Sequence, residues 1–85
     1  MRPVMGIRRS ALEIIFEMLT ACGDGGINKT AIMYRCSMSY DQLTRYLTRL
    51  CDQGLLRVDA KGHYRTTTRG QETLQQASTV IQTLQ

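Results

Sequence analysis

The sequence predicts a small α+β domain, mostly helical, in which three helices precede a β-hairpin and a fourth helix follows it. Three observations predict this class: apolar residues recur at helical spacing before residue 54, they alternate with polar residues after it, and turn-forming residues separate the segments. The 85 residues suit one domain, 1–85. A domain of this size buries only about two-thirds of the surface its unfolded chain exposes, so a partner subunit would enlarge a thin core.

The first two helices are predicted on either side of a glycine-rich loop. Residues 8–22 are mostly apolar, with Glu13 and Glu17 on one polar stripe, which indicates a largely buried helix. Residues 23–26, Gly-Asp-Gly-Gly, disfavour helix and predict a loop. Asn28 is a suitable N-cap for a short second helix that runs to about Cys36.

The third helix, residues 39–53, has a start signal and a stop signal. Ser39 and Gln42 have the spacing of a capping box, and Gly54 suits the left-handed conformation that ends a helix. On a helical wheel the apolar half holds Leu43, Tyr46, Leu47, Leu50 and Cys51. The opposite half holds Asp41, Thr44, Arg45, Thr48, Arg49 and Asp52. The third helix therefore presents one polar face to solvent or to a partner.

Residues 55–66 predict a two-stranded hairpin with its turn at residues 59–62, Asp-Ala-Lys-Gly. Alternation places inward Leu56, Val58, Tyr64 and Thr66. It places outward, or in the turn, Arg57, Lys61, His63 and Arg65. Thr67 or Thr68 can cap a final helix, residues 68–85, whose apolar stripe is Leu74, Ala77, Ile81 and Leu84. This stripe can form a dimer interface or pack on the first helix of its own chain.

This order of elements is the one that a winged helix-turn-helix requires. In that fold the third helix enters the major groove of DNA, and the hairpin, or wing, contacts the phosphate backbone. A basic chain, with eleven Lys and Arg against seven Asp and Glu, favours a polyanionic partner. The groove candidates are Ser39, Tyr40, Gln42, Thr44, Arg45, Thr48 and Arg49. The backbone candidates are Lys29, Arg35, Arg57, Lys61, His63 and Arg65.

Several segments carry a family resemblance. They are LEIIFEML, then KTAIMYRCSMSYDQLTRYLTRLCDQGLL, and finally HYRTTTRGQETL. Together they resemble a small winged-helix family of predicted transcriptional regulators common in archaea, over roughly residues 10–75. The resemblance implies a winged-helix DNA-binding regulator. Relatives in that family include chromatin-associated proteins that dimerise through a long C-terminal antiparallel coiled coil, whereas the last helix here is about 17 residues long.

Other functions fit the sequence less well. An amphipathic helix with Arg and Thr outside is also typical of any solvated helix, so a protein-interaction module and a sequence-tolerant architectural DNA-binding protein stay as alternatives. Cys22, Cys36 and Cys51 do not form close ligand pairs, and a lone His63 does not make a catalytic triad. We expect reduced thiols, no metal, no cofactor, no small-molecule substrate and no enzymatic activity.

The sequence also bears on location. Its apolar runs fall far short of the roughly 18 residues that a membrane-spanning helix needs. No long apolar stretch or small-residue cleavage site follows the arginines near the start. We therefore expect a cytoplasmic protein that forms a homodimer on double-stranded DNA and regulates transcription.

Overall fold

The helices and strands follow the predicted order, with one strand added. The computed structural model describes the backbone of residues 10–84 and the side chains of residues 10–77. The elements are α1 (Ala11–Cys22), β1 (Ile27–Asn28), α2 (Lys29–Arg35), α3 (Tyr40–Asp52), β2 (Leu56–Val58), β3 (His63–Thr66) and α4 (Thr68–Leu84). This arrangement confirms the mostly helical α+β fold.

The first three helices begin at side-chain caps, and the cap of α1 was not predicted. Ser10 and Glu13 form a reciprocal capping box at the start of α1, which begins at Ala11, whereas residues 8 and 9 of the predicted helix lie outside the described residues. The predicted caps of the next two helices are confirmed. The Asn28 side chain accepts from the Ala31 amide at 2.9 Å, and the Ser39 hydroxyl accepts from the Gln42 amide at 3.2 Å.

A residue with a positive φ lies in the turn at each end of α3. Residues 36–39 separate α2 from α3, and Ser37 takes a positive φ of 52°, which is uncommon for a residue with a side chain. At the other end Gly54 has a φ of 75°, which glycine adopts without steric cost, and the chain leaves directly into β2. The predicted stop at Gly54 is confirmed.

The sheet has three antiparallel strands in the order β1-β3-β2: β2 and β3 form the predicted two-stranded hairpin, and β1 is an additional strand that was not predicted. Strand β1 pairs Ile27 with Tyr64 and Asn28 with His63. Two residues are too few to show an alternating pattern, and Asn28 also caps α2. In the hairpin, β2 pairs with β3 from Leu56 opposite Thr66 to Val58 opposite Tyr64.

The inward-facing strand residues divide into buried and exposed ones. Leu56 and Thr66 are buried, and Tyr64 packs against the core. Val58 is 49% exposed, so the prediction that it faces inward into the core is wrong. The reason is geometric: Val58 is the last residue of β2 and lines an open concavity beside α3.

The core lies between α1, α2, α3 and the sheet. Its buried apolar residues are Ile14, Met18, Leu19, Cys22, Ile32, Cys36, Met38, Leu43, Leu47, Leu50, Leu55 and Leu56. One buried polar residue, Thr66, donates its hydroxyl to the Leu19 carbonyl at 2.7 Å, which satisfies the group in an apolar setting. The core thus joins the base of the wing to α1.

The start of α4 is attached to the segment between α3 and β2. The Thr67 hydroxyl accepts from the Gly70 amide at 3.0 Å and donates to the Gly54 carbonyl at 2.6 Å, so Thr67 is the cap. A side chain at Gly70 would collide with the Leu55 carbonyl and with Thr66 Cγ2, so only glycine fits. Farther along, Leu74 packs against the core of its own chain.

The predicted apolar stripe of α4 is therefore split. Leu74 follows the second of the two alternatives, packing within the chain, and Ala77 is half-buried. The side chains of Ile81 and Leu84 lie outside the described residues. Within residues 10–84 each helix is too short or too polar to cross a lipid bilayer.

Candidate nucleic-acid interface

The predicted division of α3 into two faces is confirmed. Its buried residues are Leu43, Leu47 and Leu50, which anchor the helix to the core. Tyr46 and Cys51 are half-buried at the boundary. The exposed residues are Asp41, Thr44, Arg45, Thr48, Arg49 and Asp52. Among the residues that the structure describes, the guanidinium groups of Arg45 and Arg49 have no ion pair or hydrogen-bond partner.

At the N-terminal end of α3, Lys29 of α2 places a basic group beside the aromatic ring of Tyr40, the first residue of α3. Tyr40 is 60% exposed, and Lys29 Nζ lies 5.9 Å from its ring centroid, within the range of a cation–π contact. Ser39 is exposed, but its hydroxyl serves the helix cap, and Gln42 is half-buried. The Thr44 hydroxyl donates to the Tyr40 carbonyl at 3.0 Å. Tyr40 and Lys29 thus present an exposed aromatic ring and a cation at this end.

A concavity of about 290 Å³ separates α3 from the wing. It is lined by Lys29, Thr44, Leu47, Thr48, Cys51, Asp52, Val58 and Tyr64. The structure therefore brings the predicted residues Lys29, Thr44 and Thr48 together beside the wing. It does not bring Arg35 there, because Arg35 lines a separate depression with Phe16 and Glu17 of α1.

The tip of the wing is built around Asp59. Its carboxylate oxygen Oδ1 accepts from the amides of Lys61 at 2.8 Å and His63 at 3.0 Å. The His63 amide, above all, and the Lys61 amide lower the pKa of Asp59, because both hydrogen bonds favour the charged carboxylate. Lys61 itself is exposed at the tip. The carboxylate thus fixes the backbone that presents Lys61.

The predicted outward residues of the wing are not equivalent. Arg65 is only 40% exposed: its Nη1 donates to the Asp24 carbonyl at 3.0 Å, and its Nη2 lies 3.5 Å from Asp59 Oδ2. His63 Nδ1 lies 3.9 Å from the same carboxylate oxygen. Arg57, directly opposite Arg65, is exposed. Arg65 therefore ties the wing to the glycine-rich loop. Its partners Asp59 and Asp24 are 6 and 41 residues away along the chain, so no local sequence pattern predicts this role.

Charge is distributed unevenly along the chain. Three of its eleven basic residues, Arg2, Arg8 and Arg9, precede the described part. The described residues hold the other eight, against all seven acidic residues. On α3 two arginines share the exposed face with Asp41 and Asp52. The interface is thus mixed in charge, with its cations at particular positions.

The three cysteines are free thiols, as expected. Cys22 and Cys36 are buried, and burial, with smaller contributions from Cys36 and Cys51, raises the pKa of Cys22 to about 12. Burial, and then the nearby Asp52, raises the pKa of Cys51. Thiols shifted in this direction stay protonated at neutral pH and are poor nucleophiles. Within the described part of the chain, no group of three or more His, Cys, Asp or Glu residues is placed to hold a metal ion.

The chain belongs to the winged helix-turn-helix family, whose model matches residues 8–85. This confirms the family resemblance seen in the residues. Among solved structures it is similar to the crystal structure of Sso10a-2, described as a DNA-binding protein from Sulfolobus solfataricus. The two share 22% sequence identity with a TM-score of 0.69, over 89% of this chain and 85% of that one, a likeness that shows the fold. No curated protein sequence matches the chain.

Proposed function

We propose that this protein binds double-stranded DNA in a sequence-specific way and regulates transcription in the cytoplasm. One observation carries the proposal: α3 exposes Arg45 and Arg49 beside Thr44 and Thr48 on the face opposite its core contacts. An α-helix fits the major groove, where an arginine can donate two hydrogen bonds to guanine. Membership of a winged-helix family and the DNA-binding description of Sso10a-2 support the same proposal.

The wing and α2 would position α3 on the duplex. Lys61 is exposed at the wing tip and Lys29 lines the concavity between α3 and the wing, so both cations are available to contact phosphates beside the inserted helix. Such contacts add affinity without reading sequence. This assigns base contacts to Arg45, Arg49 and the exposed threonines, and backbone contacts to the lysines.

A protein-interaction module is the second candidate, and one observation favours it. The exposed face of α3 carries two aspartates with its two arginines, and a mixed surface of this kind also suits a protein partner. A sequence-tolerant architectural protein is a variant of the DNA proposal. It differs in the expected ratio of specific to random binding. Both candidates predict results that the main proposal does not.

We also propose a homodimer formed through α4, with the exposed Leu12 of α1 adding apolar surface. Because Leu74 packs within its own chain, the contact would use Ala77 and the later positions of the predicted stripe, Ile81 and Leu84. Sedimentation equilibrium at micromolar concentration tests this directly. A mass of about twice 9.6 kDa supports the dimer, and a strict monomer contradicts it.

Binding to duplex DNA can be measured by fluorescence anisotropy with a random-sequence duplex and with duplexes selected from a random pool. The proposal predicts saturable binding, weaker at about 200 mM than at about 50 mM salt, and tighter for the selected duplexes. Equal affinity for both pools would support the architectural variant. No binding at low salt would contradict the proposal and leave the protein-interaction module.

A further inference from the structure

We propose a second binding site, on the face of the sheet away from α3, that accepts a phosphate group. It is a solvent-open concavity of about 520 Å³, which we call the arginine concavity. Its charged and polar lining includes Arg57, Arg65, Arg69, Thr68, Gln71 and Asp24. The proposal stands apart from DNA binding by α3, because none of these residues belongs to α3.

The sheet separates this site from the candidate nucleic-acid interface. Side chains alternate between the two faces of a strand. Val58 and Tyr64 line the concavity beside α3, whereas their neighbours Arg57 and Arg65 line the arginine concavity. One ligand bound beside α3 therefore does not fill the other surface.

The arrangement of charge indicates an anion. Arg57 and Arg65 are direct cross-strand partners, and like charges in such positions repel each other. Asp59 and the Asp24 carbonyl compensate Arg65 in part. Within the described part of the chain, the side chains of Arg57 and Arg69 have no hydrogen-bond or ion-pair partner. The fold thus keeps two uncompensated guanidinium groups beside a third.

The one acidic residue of the lining does not neutralise the site. Asp24 Oδ1 is 3.3 Å from the amide nitrogen Nε2 of Gln71, which donates to it, so the carboxylate is already engaged across the concavity. Three arginines against one aspartate leave the lining with excess positive charge. A guanidinium group donates to phosphate oxygens in a planar fork, and several such groups can donate to different oxygens of one phosphate.

Charged residues on an edge strand also occur simply because they prevent strand pairing with other molecules. Strand β2 is at an edge of the sheet, so Arg57 has this simpler explanation. It does not extend to Arg69, which is on α4. The simpler explanation predicts no saturable anion binding.

The full chain can be titrated with pyrophosphate, against sodium chloride at matched ionic strength, while NMR follows the arginine Nε groups and the backbone amides. We expect saturable shifts at Arg57, Arg65, Arg69 and Thr68 and none along α3. Arg69→Gln and Arg57→Gln should each weaken binding about tenfold, the scale of one charge-assisted hydrogen bond. Arg35→Gln, an exposed arginine beside α1, is the matched control and should leave it unchanged.

A second arm identifies the source of the phosphate. If pyrophosphate binds and the two variants leave DNA affinity unchanged, the natural ligand is a free phosphorylated compound. If each variant instead reduces the slope of log K for DNA against log salt concentration by about one unit, the ligand is a backbone phosphate. The proposal is overturned if pyrophosphate shifts are unsaturable and DNA binding is unchanged, or if Arg35→Gln has the same effect. Arg45→Ala affects only binding at α3, so the two proposals fail separately.

Discussion

The exposed face of α3 and the wing both carry arginines, but they hold them in different ways. On α3, Arg45 and Arg49 extend from a helix whose cap and stop residues lie within or beside it. In the wing, Arg65 is tied to Asp24 and Asp59, and Thr66 to Leu19. Local contacts set the ends of α3, whereas distant contacts hold Arg65 and Thr66 of the wing. An exposed, unpartnered arginine is available to a ligand, whereas a tethered one mainly fixes geometry.

The largest expected effect tests the α3 side of this comparison. Arg45→Ala and Arg49→Ala should each weaken binding to a selected duplex by on the order of 1–3 kcal/mol if they contact bases. If the arginine contacts a phosphate instead, its loss should reduce the slope of log K against log salt concentration by about one unit. Anisotropy titrations at several salt concentrations therefore separate the two roles.

Arg35→Ala is the matched control for these variants, because Arg35 is also exposed but lies beside α1. It should leave binding nearly unchanged. The assignment of α3 to the groove is wrong if both α3 variants bind the duplex as tightly as the parent protein. It is also wrong if Arg35→Ala weakens duplex binding as much as they do.

The next effect concerns the support of the wing. Gly70→Ala places a methyl group against the Leu55 carbonyl and Thr66 Cγ2, so it should lower the free energy of unfolding by about 1–3 kcal/mol. Urea denaturation followed by circular dichroism measures this. Gly25→Ala, where an added Cβ meets nothing within 4 Å, is the control and should change stability little. Equal stability of both variants would contradict the packing of α4 against the base of the wing.

A smaller effect is expected at the hydrogen bond between the wing and α1. Thr66→Val removes the hydroxyl that donates to the Leu19 carbonyl and should cost about 1 kcal/mol of unfolding free energy. Thr73→Val makes the same change where the hydroxyl donates to the Arg69 carbonyl one helical turn back in an exposed setting. It should have a smaller effect. If the two substitutions lower the free energy of unfolding equally, the hydrogen bond between the wing and α1 stabilises the fold no more than a local helical one.

The smallest expected effect is a local change at the wing tip when Asp59 is protonated at low pH. Because the folded wing lowers the pKa of Asp59, the stabilisation is present above the ordinary value of 3.8 and is lost as pH falls through the folded value. NMR titration should therefore show the Lys61 and His63 amides shifting with a common midpoint below 3.8. In Asp59→Asn that transition should be absent. A midpoint at or above 3.8 would contradict the arrangement of the wing tip.

The same contrast explains how much the sequence could predict. Asn28, Ser39 and Gly54 carry local signals, and the helices they bound were predicted to within a residue or two. The Ser10 cap is also local and could have been found from its spacing to Glu13. By contrast, β1 pairs with a strand more than thirty residues away, and the tether of Arg65 depends on the same three-dimensional contact. No local pattern encodes these.

For the candidate site, periodicity predicted which residues of α3 are exposed, because burial of one helix face follows from spacing. It did not separate the wing arginines onto a second surface, nor Arg35 from the rest. Those distinctions depend on how elements pack. The grouping of Arg57, Arg65 and Arg69 combines two strands and a helix that the chain order alone does not place together.

The most direct test is to follow the backbone amides of the labelled protein by NMR as a selected DNA duplex is added. We expect the largest shifts between Ser39 and Arg49 and at Lys61 on the wing tip, with little change on the α1 surface near Leu12. Shifts concentrated on α1 or α4, with α3 unchanged at saturating duplex, would contradict it.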